Sequence, residues 1–289
     1  EATGETGWKL TAANRALDVR LVFYRAQSVR SRVIYDAVKA GLARFGLEIE
    51  LRDERDYRGA VDADVAIHYG LWGNLKRVQA DYASAGAKSV MIDLGYWGRI
   101  EGGKLAGYHR ISVNGRHAAP YFQRRAHSPE RFARFGIEPR RFARTGNHVL
   151  LAGMSAKAAW VYGLEPEEWE RAAVARIRAA TDREIWYRPK PSWKDATRIP
   201  GTIDASRDVM TIDGVLHGCW AVVTHHGNTA MDALIAGVPA FCEEGLASVL
   251  CSRDLAEIER PRWPSEEERD QLLYDAAHTQ YQVREIAEG

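Results

Sequence analysis

Residues 220–239 read Trp-Ala-Val-Val-Thr-His-His-Gly-Asn-Thr-Ala-Met-Asp-Ala-Leu-Ile-Ala-Gly-Val-Pro. The apolar run Ala221, Val222 and Val223 predicts a buried strand, and the small and polar residues Thr224 to Thr229 predict a turn. A short helix with Met231, Leu234 and Ile235 on its apolar face follows, and Gly237-Val238-Pro239 stops it before a second apolar run, Ala240-Phe241-Cys242. Strand, tight loop, helix and strand make one βαβ unit, with its loop at the carboxyl end of a strand, where open α/β sheets bind ligands. Gly227, Asn228 and Thr229 fall where the helix begins. Backbone N–H groups, a hydroxyl and the positive end of the helix dipole would there meet an anion. The unit reads as a phosphate or nucleotide site, against the alternative of an ordinary Rossmann-like helix start with no ligand.

The same alternation extends in both directions. Val149 to Gly153 reads as a strand ending in glycine, with Met154 to Lys157 as its loop. Glu165 to Ala180 reads as an amphipathic helix with Trp169, Ala173 and Ile177 on one face, and Glu184 to Tyr187 as a strand running into Arg188-Pro189-Lys190-Pro191. Upstream, strands are expected at Val19–Tyr24, Leu47–Leu51, Val65–Tyr69, Ser89–Leu94 and Ile111–Val113, with helices after the first and third. Such alternation argues for parallel sheets with crossovers. The expected fold class is α/β, with two Rossmann-like domains facing across a cleft, residues 14–140 and residues 141–289. Residues 1–13 are polar and unpatterned, as a tail would be.

Length and composition set limits. A chain of 289 residues with 46% hydrophobic content can bury sizeable cores. Its formal net charge of +1 means that any preference for polyanions must come from local clustering. Cys219, Cys242 and Cys251 have no metal-ligand spacing and suit a reduced, cytoplasmic protein. No apolar run approaches a membrane span and no signal peptide is visible, so no membrane partner is expected.

The 220–239 segment resembles the donor-binding signature of GT-B glycosyltransferases: a small-residue loop with Asn and Ser/Thr, an acidic residue three positions later, then Ala-Leu-x-x-Gly-Val-Pro. Weaker similarity extends over residues 148–245. The resemblance implies that Asn228 and Thr229 touch a nucleotide diphosphate and that Asp232 hydrogen-bonds the ribose, where the family usually has the longer Glu. It also implies that residues 14–140 bind an acceptor and residues 141–289 a nucleotide-sugar donor, with UDP and UDP-glucose as the default co-substrate and no tightly bound cofactor. Arg188 and Lys190, set on a proline-stiffened loop at a strand end, are candidates to neutralise the departing diphosphate. Ser155 and Lys157 would add a donor and a charge from the first loop of that half.

A sugar transfer that inverts the anomeric centre needs a base for the acceptor hydroxyl. Asp93, closing an apolar strand before Gly95-Tyr96-Trp97-Gly98, is the first candidate, and His68 near the end of the 65–69 strand is its rival. The alternative for Asp93 is a turn cap or a partner for Arg99. The loop Arg25-Ala26-Gln27-Ser28 carries neither acid nor His, unlike many plant-type members, so a retaining mechanism stays open. His225 and His226 have no companions at metal-ligand spacing, and no metal is expected; His225 is placed with the donor-binding residues, beside Gly227. Glu243 and Glu244, just after the 240–242 strand, could bind sugar hydroxyls or stand as surface acids.

The acceptor is read from charge. Between Arg116 and Arg144 lie eight arginines (116, 124, 125, 131, 134, 140, 141 and 144) against Glu130 and Glu138, a local excess of +6. Tyr121, Phe122, Phe132, Phe135 and Phe142 are interleaved. Arg116, Arg124, Arg125, Arg131 and Arg134 are expected to track phosphates of double-stranded DNA while an aromatic ring stacks an extruded base. The alternative is an arginine-rich solvated helix that packs Phe132 and Phe135 inward. The combination resembles phage enzymes that glycosylate hydroxymethylated pyrimidines such as hydroxymethylcytosine, acting in the host cytoplasm as a monomer or weak oligomer. Two other functions remain: a transferase of surface polysaccharide biosynthesis, and a non-catalytic nucleotide- or nucleic-acid-binding module.

Overall fold

Apolar strands alternating with amphipathic helices build two sheets in the computed structural model, which describes residues 19–118 and 126–289. The expected tail, and Tyr121, Phe122, Arg124 and Arg125, lie outside the described residues.

The first sheet contains β1 (Leu21–Arg25), β2 (Glu50–Asp53), β3 (Val65–Tyr69), β4 (Lys88–Leu94) and β5 (Tyr108–Val113), with α1 (Val29–Ala43) following β1 and α2 (Leu75–Ser84) following β3. Ser28 starts α1 by accepting the N–H of Ser31. Phe23, Ile34, Val38, Ile67 and Ile92 form one apolar layer of this sheet, and Val22, Tyr24, Ala66, Leu75, Val78 and Tyr82 the other. Two expectations are corrected here. The second strand begins at Glu50 rather than Leu47, because the Leu47 N–H turns back to the Leu42 carbonyl to close α1. The fifth strand is antiparallel to β4, pairing Asp93 with Arg110 and Leu94 with His109, so this sheet is not wholly parallel.

The second sheet is parallel throughout. Its elements are α3 (Glu130–Ala133), β6 (His148–Ala152), α4 (Ala156–Tyr162), α5 (Glu168–Arg178), β7 (Glu184–Arg188), β8 (Ile203–Asp204), α6 (Ile212–Leu216), β9 (Cys219–Thr224), α7 (Thr229–Ile235), β10 (Ala240–Cys242) and α8 (Glu266–Ala277), in strand order β10-β9-β6-β7-β8. β6 is buried along its whole length, as a strand covered on both faces must be. Leu150 and Val222 are fully buried in one layer, Val149, Leu151 and Ile185 in the other. Burial of each such side chain stabilises by about 1.5–3 kcal/mol. Gly237 ends α7 at φ 73°, where a Cβ would lie 2.1 Å from the Arg141 carbonyl oxygen. Only glycine fits that approach.

The chain returns to the first sheet through β11 (Gln280–Gln282), beside β5, and ends in α9 (Val283–Glu288). It divides into two compact units, one running to Gly95 and including Arg99–Gly115 and Tyr281–Gly289, the other comprising Tyr96–Gly98 and Arg116–Gln280. This division differs from the expected 14–140 and 141–289. Phe132 and Phe135 pack on Trp97 in the second unit, whereas Val283 and Ile286 pack in the layer that contains Ile34. Among the described residues no helix is long and apolar enough to cross a membrane.

Candidate functional site

The order of the second sheet locates a ligand crevice. β6 lies between β7 and β9, so the chain leaves it in opposite directions, and the carboxyl ends of β6 and β9 border the switch point. Ala152 and Thr224 are register partners at those ends. Thr224 Oγ1 accepts the Gly227 N–H at 3.2 Å. A Cβ on Gly227 would come within 2.7 Å of that hydroxyl, so the tight turn requires glycine. Asn228 precedes α7 without capping it. The N–H groups of Ala230, Met231 and Asp232 bond to the carbonyls of Gly227 and Asn228, while those of Asn228 and Thr229 find no acceptor among the described residues. Two N–H groups, the Asn228 amide and the Thr229 hydroxyl therefore stand together, partly exposed. That donor set suits a phosphate oxygen. Asp232 follows one turn later, partly exposed.

Arg188 has a different setting from the one expected. It is only 8% exposed, and its Nη1 donates to the carbonyls of Ala205 at 2.8 Å and Met210 at 2.7 Å. Burial, aided by Arg207, holds this guanidinium below its ordinary value, with Asp232 opposing the shift. Arg188 thus ties down the 205–210 loop instead of standing open on a strand-end loop. Lys190 lies farther along, in a pocket of about 930 Å³ formed by the loops after β7 and β8 and lined also by Trp193, Lys194, Arg198, Asp204 and Arg207. No ion pair to Lys194, Arg198 or Arg207 occurs among the described residues. Ser155 caps α4 by accepting the Ala158 N–H at 3.2 Å, and Lys157 is exposed on that helix.

A cluster of rings and carboxylates borders the same strand ends. His225 is 8% exposed; its Nδ1 meets His226 Nδ1 at 3.1 Å and its Nε2 lies 3.6 Å from Glu243 Oε2. Trp169 Nε1 donates to Glu243 Oε1 at 2.8 Å, and the Tyr162 hydroxyl donates to Glu244 Oε2 at 2.6 Å. The Tyr162 ring centroid lies 4.3 Å from that of His225 and 4.8 Å from that of His226. Burial pushes the His225 imidazole below its ordinary value, against the pull of Glu243 and Glu244. Among the described residues no three His, Cys, Asp or Glu side chains converge to hold a metal.

The arginine tract has several settings rather than one. Arg116 sits over the Tyr162 ring at 4.2 Å and 3.9 Å from Glu244, which puts it in the ring cluster. Arg131 donates to the carbonyls of Ala277 at 2.9 Å and Gln280 at 2.7 Å, so its guanidinium fastens the end of α8. Arg134 is exposed, as are Arg140, Arg141 and Arg144. Phe132 and Phe135 pack against Trp97, which corrects the expectation of a base-stacking face for these two rings.

In the first unit, His68 is fully buried on β3, with Nδ1 at 2.8 Å from the Gly70 carbonyl oxygen and Nε2 at 3.2 Å from the Ser89 hydroxyl. Burial lowers its pKa to about 4. It is a satisfied core residue, not an exposed base. Asp93 remains part-exposed at the end of β4, with Oδ1 accepting the Leu94 N–H and Oδ2 facing Arg110 Nη2 at 3.3 Å, so its cationic partner is Arg110 rather than Arg99.

The sequence gives Tyr162, Trp169 and Trp193 no functional signal: Trp169 reads as the packed face of an amphipathic helix, Tyr162 and Trp193 belong to no motif, and only the assembled sheet brings them to the strand ends.

No protein-family model matches the sequence, and no curated protein matches it. Solved structures do. The beta Kdo 2,7 transferase of KpsC from Thermosulfurimonas dismutans superposes with a TM-score of 0.55 at 12% identity, over 93% of this chain and 97% of that one. The beta Kdo 2,4 transferase of the same KpsC gives 0.52 at 10% identity, over 90% and 91%. The likeness is one of fold: mixed α/β with parallel-stranded sheets, of GT-B type.

Proposed function

We propose that this chain is a glycosyltransferase that uses a nucleotide-sugar donor, and that its second unit holds the donor. The observation that carries this reading is the Thr224–Thr229 turn at the β6/β9 switch point, where the Asn228 and Thr229 N–H groups find no acceptor among the described residues beside a partly exposed Asp232. The donor phosphate would sit on that turn, and the cationic pocket lined by Lys190, Trp193 and Arg207 would receive the nucleoside end. Asp93 is the acceptor base in this reading, since His68 has both ring nitrogens engaged.

For the acceptor, a saccharide hydroxyl is the better-supported class. Two solved structures that share the fold are described as Kdo transferases. The arginine tract also spends Arg131 on main-chain carbonyls and Arg116 on the ring cluster. A second reading, transfer to a hydroxymethylated pyrimidine in duplex DNA, keeps the support of the +6 excess between Arg116 and Arg144. UDP-glucose stays the first donor to try.

Thermal unfolding in a panel of nucleoside mono- and diphosphates and their sugars tests the donor site. A ligand at about 100 times its Kd adds about 2.7 kcal/mol of stability. Stabilisation that Asp232→Ala removes supports the reading. No stabilisation of well-folded protein by any nucleotide in the panel overturns it.

A further inference from the structure

We infer that Trp72 is the stacking platform for the acceptor, and that the acceptor is a saccharide whose ring lies on the indole with a hydroxyl turned to Asp93. The inference rests on the glycosyltransferase reading of this chain and deepens it on the acceptor side.

Burying an indole is among the largest apolar gains open to a chain, yet Trp72 is 49% exposed. Its loop holds it there. β3 ends at Tyr69, Gly70 takes φ 71° and Gly73 takes φ 64°, while Leu71 between them is only 8% exposed. The Gly70 N–H bonds to the Ile92 carbonyl at 2.9 Å. At the other end Asn74 donates its N–H to Glu54 Oε2 at 2.8 Å and its Nδ2 to the Glu54 carbonyl at 3.0 Å. A Cβ on Gly73 would lie 2.9 Å from both carboxylate oxygens of Glu54, so the loop and the Glu54 side chain are in close contact. The loop Gly70–Asn74 is thus pinned at both ends, with the smaller apolar side chain turned in and the larger one turned out. Packing alone would favour the reverse.

The strand register places the ring near the proposed base. Tyr69 pairs with Ile92, and the Gly70–Ile92 bond continues that parallel register to set Gly70 beside Asp93. Side chains alternate along β4, so Asp93 shares a face with Met91 and Ser89, the register partners of His68 and Ala66. Ala66 packs with Leu75 and Val78 of α2. Asp93 therefore lies on the side of the sheet that α2 covers, and Trp72 stands at the entrance to that helix, two residues before Asn74. Platform and base share one corner of the first unit, at the carboxyl ends of adjacent strands.

Neighbouring charge selects the occupant. The turn that braces the loop is acidic: Asp53, Glu54 and Asp56 stand against Arg55, which Asp53 engages at 3.0 Å, and Arg58, which donates to the carbonyls of Arg55 and Tyr57. Asp56 is exposed and makes no ion pair among the described residues. Carboxylates accept hydrogen bonds from sugar hydroxyls and repel the phosphates that accompany a base in nucleic acid. A pyranose offers C–H groups on its face and hydroxyls at its edge, and it meets here an indole face with carboxylates beside it. A nucleic-acid base could stack on the same ring, but its phosphates would come against Asp53 and Asp56.

The test uses the whole chain without donor. Protein labelled with 15N at the tryptophan indoles is titrated with disaccharides of glucose, galactose and N-acetylglucosamine, and the Trp72 signal is assigned from Trp72→Phe. Saccharide should move the Trp72 indole N–H signal. Trp72→Ala should weaken binding about tenfold or more, and Trp72→Phe, which keeps a ring, by no more than about threefold. Urea unfolding of both variants should stay close to wild type, because the ring is half out of the fold. In turnover, Trp72→Ala should raise the acceptor KM about tenfold and keep the donor KM within about twofold. A Trp72 signal that no saccharide moves, or saccharide binding that Trp72→Ala leaves intact, overturns the inference. So does a signal moved by duplex DNA carrying hydroxymethylcytosine and by no saccharide, which would make the ring a base platform. The titration contains no nucleotide. Protein that no nucleotide stabilises, but whose Trp72 signal answers to saccharide, refutes the donor reading and leaves the saccharide platform standing.

Discussion

Glu170 Oε1 accepts the main-chain N–H of Met154 at 2.7 Å, so a fully buried carboxyl on α5 holds the loop leaving β6. Its Oε2 and the buried Tyr187 hydroxyl have no hydrogen-bond partner among the described residues. Burial raises the Glu170 pKa above its ordinary 4.5. A carboxyl whose folded value is raised gives stability that is complete below the unfolded value and lost as pH rises through the folded one. Glu170→Gln keeps an acceptor for Met154 and removes the buried charge. Urea unfolding should show the variant gaining on the wild type over the range in which pH rises above the ordinary 4.5. A constant difference across that range refutes the assignment.

His68 has the opposite sign. Its folded pKa of about 4 lies below the ordinary 6.5, so its neutral form gives stability that is present above the ordinary value and lost as pH falls toward 4. The full effect is at most about 3 kcal/mol. His68→Gln should flatten the acid limb of stability and leave kcat within about twofold for the protein that folds. A kcat loss of about a hundredfold at unchanged stability would return His68 to the catalytic candidates.

The arginine that closes β7 is predicted to act on stability. Arg188→Ala strips the carbonyls of Ala205 and Met210 of a charged donor within the protein. Hydrogen bonds to charged groups contribute about 1.5–3 kcal/mol each, so the variant should unfold at distinctly lower urea. Normal stability with a fall in kcat alone would restore Arg188 to the phosphate.

What the sequence reveals depends on how local each feature is. The strand through Ala221–Val223, the Gly227 turn and the Gly237 stop are legible because period, turn chemistry and helix stop all lie within twenty residues. The same locality reveals β3 residue for residue and β10 likewise. The fate of Arg188 is not legible, because whether a strand-end arginine faces solvent or carbonyls depends on the path of the 205–210 loop. The grouping of Arg116, Tyr162 and Glu244 joins residues tens of positions apart in sequence and needs the assembled strand ends. The reversed direction of β5 is equally hidden: the Ile111–Val113 pattern is apolar in either orientation, and only pairing with β4 decides it.

At the donor turn, Thr229→Ala removes one hydroxyl from the phosphate and should weaken nucleotide binding by about 1.5–3 kcal/mol, the range for a charged partner. Asp232→Ala should weaken binding of nucleotides that carry ribose and leave inorganic phosphate indifferent. Calorimetric titration with a nucleotide and with its base-free phosphate separates the two. Equal losses for both ligands in Asp232→Ala would remove the ribose role.

The acceptor is decided by competition between two substrates in one assay. Labelled nucleotide sugar is offered with short oligosaccharides, with unmodified duplex DNA and with duplexes carrying hydroxymethylcytosine or hydroxymethyluracil. Of the five arginines assigned to the duplex, Arg131 and Arg116 are engaged within the protein, which leaves exposed Arg134 and, outside the described residues, Arg124 and Arg125. Each neutralised phosphate contributes a slope of about −0.9 in log K against log salt. If DNA is the acceptor, Arg124→Ala with Arg125→Ala flattens that slope by up to about two units and leaves nucleotide binding alone. The expected result is label in a saccharide and a shallow salt dependence for DNA, unchanged by the double substitution. Label in hydroxymethylated DNA and in no saccharide would reverse the order of the two readings.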